Sequence, residues 1–255
     1  MTDGPYLRVN FLPELVAGDA LAGAAVAVID VLRATTTAIA ALAAGARDVL
    51  PCLTIEDARR RAAEFPVGEA ILGGERGGTA IEGFDLGNSP LEYTPHVVAG
   101  KSVVLTTTNG TKALLHCQAA AEIVLAGFVN LTAAADRLLK AANKHGGPID
   151  VVCSGTDGAV TREDVLLAGA LVDRIAGDDC PAIDDQAALA RDAWRTVFGS
   201  GEDLPARLLP ALVASRGGRN LSALGMQRDI EFAARVDEFQ LVPRFDAASH
   251  SISPA

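Results

Sequence analysis

The feature that most constrains this chain is a unit it uses three times: a short apolar strand, a hydroxyl-rich turn, then a helix. Val103-Val104-Leu105 leads into Thr106-Thr107-Thr108-Asn109-Gly110-Thr111 and on to Lys112-Ala113-Leu114-Leu115. Val26-Ala27-Val28-Ile29 leads into Asp30-Val31-Leu32-Arg33 and then Ala34-Thr35-Thr36-Thr37-Ala38. Ile149-Asp150-Val151-Val152-Cys153 leads into Ser154-Gly155-Thr156-Asp157-Gly158, with a helix expected from about Thr161 to Ile175. Apolar runs of this length, bounded by turn residues, read as buried strands. Thr161-Arg162-Glu163-Asp164 has the capping-box spacing, with Asp where Glu or Gln is usual. The first two units each close with a further short strand, Glu122-Ile123-Val124-Leu125 and Asp48-Val49-Leu50 respectively.

Repeated strand-to-helix units call for largely parallel strands, and in such sheets the turns after the strands gather at one edge, where ligands bind. The first N–H groups of a helix lack intrahelical partners and the macrodipole is positive there, so such a turn suits an anion. A Thr or Asn at one such turn can equally be a plain cap. Three turns of one kind point to a shared pocket. The expected fold is α/β, with a largely parallel or mixed sheet, or sheets, flanked by helices in a three-layer α/β/α arrangement.

At 255 residues, 49% hydrophobic and mean hydropathy +0.26, the chain can bury a sizeable core, as a single unit over 1–255 or as two closely packed α/β subdomains. Only 4% of residues are aromatic, so that core is built from Ala, Val, Leu and Ile. A formal charge of −10 argues against a nucleic-acid-binding or anionic-membrane surface. An anionic substrate therefore needs local help from Arg, Lys or a metal. Cys52, Cys117, Cys153 and Cys180 are too dispersed for a disulfide framework or a metal pair. Met1 to Asn10 lacks the cationic start and apolar run of a secretory signal, and no apolar run is long enough to span a bilayer. The expectation is a cytoplasmic protein, with a homodimer as the base-rate assembly.

Tyr6 to Asn10 reads as a strand, and a helix starting at Thr54 runs to about Phe65, before Pro66. Ala70-Ile71-Leu72 reads as a strand opening a glycine-rich loop from Gly73 to Pro90, the kind of segment that carries function on a rigid scaffold. A helix is expected from about Ala133 to Asn143. Asp178 to Asp185 is an acidic connector, read as solvated loop and helix cap. Gln186 to Val236 reads as helices separated by Gly199-Ser200-Gly201 and Gly217-Gly218, Glu238 to Pro243 as a return to strand, and 249–255 as a loose tail.

Several familiar patterns fail. Gly100-Lys101-Ser102 resembles the end of a phosphate-binding loop, but Pro95 stands where its first glycine belongs and a strand follows. Cys153 has no Arg close behind it, as a thiol phosphatase requires. His96, His116, His145 and His250 have no zinc-ligand spacing, and no Gly-x-Ser-x-Gly elbow is present. Asp30 is different: it ends an apolar strand, where an ionised carboxylate is costly unless paired, hydrogen-bonded or metal-bound. Arg33 is the expected partner. A carboxylate with a hard cation suits phosphate chemistry, because Mg²⁺ prefers oxygen ligands and clamps phosphoryl oxygens.

The segments Ile29 to Thr37, Gly73 to Arg76, Gly83 to Pro90, Thr106 to Thr111, Cys153 to Gly158, Glu163-Asp164-Val165 and Asp229-Ile230-Glu231-Phe232 resemble those of the 2-phosphosulfolactate phosphatase family. The resemblance runs in order over nearly the whole chain. It implies a Mg²⁺-dependent phosphatase converting 2-phosphosulfolactate to 3-sulfolactate and phosphate, a step toward coenzyme M. At Ser215-Arg216-Gly217-Gly218-Arg219 the family usually has His in place of Gly217.

A substrate with phosphate, carboxylate and sulfonate needs several donors. Arg33 and Arg76 are expected as anion clamps, and Thr107, Thr108, Asn109, Gly110, Thr111, Ser154, Gly155 and Thr156 as N–H and O–H donors. Asp30, Glu75 and Asp85 are the expected Mg²⁺ ligands or orienters of the attacking water. Leu32 stands where the haloacid-dehalogenase pattern has its second Asp, and both direct water attack and a covalent intermediate stay open. The competing reading is a non-catalytic sensor of a small phosphorylated acid.

Overall fold

Period-2 alternation inside the strands decides how this chain layers. The computed structural model describes residues 5–177, 182–199 and 204–255. In chain order the elements are β1 (Leu7–Asn10), β2 (Ala25–Ile29), α1 (Ala34–Ala43), β3 (Asp48–Pro51), α2 (Ile55–Ala62), β4 (Ala70–Arg76), β5 (Thr79–Ala80), α3 (Pro95–Val98), β6 (Ser102–Thr106) and α4 (Gly110–His116). They continue with β7 (Glu122–Ala126), α5 (Leu131–His145), β8 (Ile149–Cys153), α6 (Arg162–Ala176), α7 (Asp185–Phe198), α8 (Leu204–Val213), α9 (Arg216–Ala223), α10 (Gln227–Ala233), β9 (Pro243–Asp246) and β10 (Ser251–Pro254).

The strands of the described residues form one mixed sheet in the order β1-β8-β2-β7-β9-β10-β3-β6-β4-β5, with helices on both faces in a three-layer α/β/α fold. Strands β1, β8, β2 and β7 are parallel to one another, as are β3, β6 and β4. Between the two blocks lies the β9–β10 hairpin, antiparallel to β7 on one side and to β3 on the other. Three antiparallel pairings separate the blocks, so they run in opposite senses.

In β2, Ala25, Ala27 and Ile29 face a core shared with α5 and α6, including Leu138, Leu167 and Leu171. The alternate residues Val26 and Val28 face a second core that takes in Val49, Val103 and Leu105 from the other block, with Ala38 and Ala41 of α1 and Ala113 and Leu114 of α4. Leu50 and Val104 point the other way, onto Ala58 of α2. Helices α1 and α4 thus pack against both blocks at once. That explains the composition of α1, whose residues Ala34 to Leu42 are all buried, since a helix apolar on every side belongs in an interior. Its threonines are satisfied locally: Thr35 Oγ1 donates to Ala126 O at 2.8 Å, and Thr36 Oγ1 to Val31 O at 2.9 Å.

Four expectations change. Residues 249–255 are not a loose tail: β10 lies inside the sheet, with Ile252 opposite both Val49 and Phe245 and 2% exposed. Ile252→Ala is accordingly expected to cost about 2–5 kcal/mol in denaturant unfolding, where a tail residue would change little. The return to strand begins at Pro243 rather than at Glu238. Strand β4 continues through Gly73 and Gly74 to Arg76 instead of ending at Leu72. Here the glycines mark close approach, because a Cβ at Gly73 would overlap Tyr93 Oη and one at Gly74 would overlap Thr106 O.

Gly217-Gly218 likewise does not separate helices; it lies in the first turn of α9, capped by Ser215 Oγ, which accepts from Gly218 N at 3.0 Å. A Cβ at Gly218 would overlap Leu212 O. At the acidic connector, Asp184 caps α7 by accepting from Ala187 N at 2.7 Å. Asp178 to Pro181, and with them Cys180, lie outside the described residues, as do Ser200 and Gly201. Among the described residues no helix is long and apolar enough to cross a membrane.

Candidate active site

The first turn of α4 touches the first turn of α1. Gly110 permits this: a Cβ there would lie 2.5 Å from Ala34 Cβ and 2.7 Å from Asp30 Oδ2. At the junction opens a cavity of about 440 Å³ whose lining includes Asp30, Arg33, Glu75, Thr107, Thr108, Asn109 and Thr156. These residues do not share one edge of a parallel sheet, as expected from the repeated units. They come from turns of blocks with opposite sense, brought together because α1 and α4 pack in the core common to both.

Asp30 follows β2 and is 8% exposed. Its Oδ1 accepts from Ala34 N at 3.2 Å, and its backbone is pinned by Thr35, whose N–H donates to Asp30 O at 3.1 Å. Burial pushes its pKa from 3.8 up to about 6; the Ala34 N–H pulls it down, and the Glu75 charge pushes it up again. Glu75, at the end of β4, is buried and holds two loops at once. Its Oε1 accepts from Thr108 N and Thr108 Oγ1, both at 2.8 Å, while Oε2 accepts from Gly78 N at 2.8 Å. Thr107 N donates to Thr111 Oγ1 at 3.3 Å. The N–H groups of Thr107 and Thr108 are therefore already engaged inside the protein, and Thr111 serves as a brace for the turn rather than as cavity lining.

Arg33 is 4% exposed and pairs with Asp229 at 2.6 Å, not with Asp30. It also donates to Met226 Sδ at 2.9 Å and Gly78 O at 2.7 Å. Those bonds use three of the five N–H donors of a guanidinium, leaving two for a ligand. Arg76 does not line the cavity. It donates to Glu75 O at 2.7 Å, Leu53 O at 3.3 Å and Thr106 Oγ1 at 2.9 Å, and faces a neighbouring cleft. Asp85 is exposed and outside the lining; its Oδ2 accepts from Leu72 N at 2.8 Å. Ser154 and Gly155 are not in the cavity lining; both donate to Asp164, and the Ser154 hydroxyl also hydrogen-bonds toward Asp30 and lowers its pKa.

A sequence profile described as 2-phosphosulpholactate phosphatase matches residues 10–248. A protein of Deinococcus radiodurans called probable 2-phosphosulfolactate phosphatase is 40% identical over 238 residues, 93% of this chain and 92% of its own. Proteins of the same description from Symbiobacterium thermophilum and Thermotoga maritima are 38% and 39% identical, over 88% and 85% of this chain and 92% and 86% of theirs. The chain belongs to the 2-phosphosulfolactate phosphatase family.

Within this family member, three groups absent from the sequence-derived site surround it. Asp164, 2% exposed, accepts from Val31 N at 2.9 Å and Gly155 N at 3.1 Å, tying the turns after β2 and β8 to the start of α6. Burial holds its carboxyl well above the usual range, reinforced by the Asp30 and Glu163 charges. Glu163 accepts from Gly217 N at 3.0 Å, and burial raises its pKa as well. Asp229 accepts from Ser89 Oγ at 2.7 Å besides Arg33. The signal for all three was present, since each lies in a segment carrying the family resemblance, but spacing alone could not bring residues 30, 164 and 229 together.

Gly217, where the family usually has His, lies so close that a Cβ would overlap Glu163 Oε1. Gly217→Ala is expected to cost about 1–3 kcal/mol of stability, read by thermal or denaturant unfolding, because the rigid first turn of α9 and the buried carboxylate must separate.

The donor set fits a hard cation. Asn88 Oδ1, in the cavity lining, is buried without a hydrogen-bond partner, and an orphaned acceptor costs about 1–3 kcal/mol. Asp30 and Glu75 add charge, while Arg33 is already offset by Asp229. Among the described residues no group of three or more His, Cys, Asp or Glu forms a ready-made cage. Mg²⁺ uses one or two carboxylates, waters and substrate phosphate oxygens rather than such a cage.

Proposed function

We propose that this protein is a Mg²⁺-dependent phosphatase that hydrolyses 2-phosphosulfolactate to 3-sulfolactate and phosphate, acting in the cytoplasm on a route toward coenzyme M. The observation that carries the reading is the convergence of Asp30, Glu75 and Arg33 with the Thr107–Asn109 turn in one cavity, in a chain of this family. Asp30 and Asn88 Oδ1 would hold the ion, which supplies charge neutralisation to the phosphoryl oxygens. The two remaining N–H donors of Arg33 bind the phosphate, pre-oriented by Asp229. Glu75 fixes Thr108, and so the shape of the turn against which the phosphate sits. Asp30 lies at the phosphorus position in either mechanism, orienting water or attacking directly.

The test is phosphate release from 2-phosphosulfolactate with and without Mg²⁺. Release that requires the ion supports the reading, and no release under either condition overturns it. Saturable binding without turnover would make the protein a sensor instead. Borohydride added during turnover separates the two chemistries: an acyl phosphate at Asp30 is reduced to homoserine, whereas direct water attack leaves Asp30 unchanged.

A further inference from the structure

Thr107 and Thr108 line two spaces, not one. On one side is the cavity just described; on the other is a cleft of about 330 Å³ that includes Leu53, Glu56, Arg76 and Lys112. The two differ in charge. The cavity presents Asp30, Glu75 and Asp157, with Arg33 its one cation among the described residues and already paired to Asp229. The cleft presents Arg76 and Lys112 against Glu56 alone. Among the described residues, neither Arg76 nor Lys112 takes part in an ion pair.

Arg76 is also fixed in place. Its bonds to Leu53 O, Glu75 O and Thr106 Oγ1 use three N–H donors and leave two. In a chain of charge −10, a locally cationic cleft beside an acidic cavity is a built contrast, and it sorts anions by position.

We infer that this cleft is the subsite for the terminal acid group of the substrate, with Lys112 and Arg76 as the residues that select for it. This rests on the phosphatase reading of the cavity. In a 2-phosphorylated hydroxy acid the C1 carboxylate lies three bonds from phosphorus, whereas an acid group on C3 lies four bonds away and on a separate arm. With the phosphoryl group at Asp30 and Arg33, the longer arm is the one that reaches past Thr107 and Thr108.

The test compares 2-phosphosulfolactate with 2-phospholactate, which lacks the terminal acid. Lys112 is exposed, so Lys112→Ala is expected to fold normally. The ratio of kcat/KM for the first ester over the second should fall about tenfold, through KM and not kcat, and Lys112→Arg should restore it. An unchanged ratio overturns the inference.

Titration with 3-sulfolactate and lactate, neither phosphorylated, keeps this failure apart from failure of the phosphatase reading. If the wild type hydrolyses neither ester, weaker binding of 3-sulfolactate but not lactate by Lys112→Ala still supports the subsite. Equal binding by wild type and variant overturns it.

Discussion

Asp30→Asn is expected to abolish detectable turnover and, in the metal-free protein, to raise stability. The carboxylate sits in the interior with its pKa lifted from 3.8 to about 6, chiefly by burial. That rise corresponds to about 3 kcal/mol, an upper figure for what the ionised group costs the fold. A raised carboxylate pKa means that the native state binds the proton more tightly than the unfolded chain. The cost is therefore fully present above about pH 6, shrinks as pH falls, and is gone below about pH 4. Unfolding of wild type and variant at a series of pH values should show the variant ahead near neutrality and the two converging in acid. A variant that kept full turnover would remove Asp30 from the chemistry. One that was less stable than wild type at pH 7 would show that the carboxylate is already compensated without metal.

Asp229→Ala is expected to lower stability by about 3–5 kcal/mol and to reduce kcat/KM as well. Both side chains of the Arg33–Asp229 pair are buried, 3% and 4% exposed, and 2.6 Å apart. Removing the acid leaves a guanidinium buried with only Gly78 O and Met226 Sδ as partners. Replacing both residues, as Arg33→Met with Asp229→Leu, should recover much of the lost stability because no charge is then stranded. It should not recover turnover, since Arg33 lines the cavity and Asp229 orients it. Denaturant unfolding and steady-state kinetics on the two single variants and the double variant decide the matter. Recovery of activity in the double variant would exclude Arg33 from substrate binding.

The strands and helices of this chain were largely legible because their causes are local. Val26 to Ile29, Val103 to Leu105 and Ile149 to Cys153 are β-branched runs closed by turn residues, and each is a strand. The helix expected from Thr161 to Ile175 is observed from Arg162 to Ala176. Glycine misled where its reason was packing instead of turning: Gly73 and Gly74 are in a strand and Gly217 and Gly218 in a helix, each admitting a neighbour that a Cβ would displace. Ser251 to Pro254 carry no strong strand pattern, and their place in the sheet comes from partners far away in sequence in β3, where Ile252 meets Val49, and adjacent in β9.

For the site, the sequence alone determined the chemistry on offer: an acid at the end of a buried strand, hydroxyl-rich turns before helices, and few cations to neutralise an anion. Which groups meet was decided only by tertiary packing. Two strand blocks of opposite sense share one layer of helices, so turns that would otherwise lie apart converge on Asp30. Arg33 turns to Asp229 because that carboxylate, far along the chain, is the buried charge within reach, and a buried guanidinium must have one. Arg76 falls outside the cavity because it follows Glu75 on β4 and successive strand residues face opposite sides, and Asp85 because it is exposed and bonded to Leu72 N. A side chain's identity fixes what it can do; the low-dielectric neighbours that folding supplies fix whether it is ionised, paired or free to act.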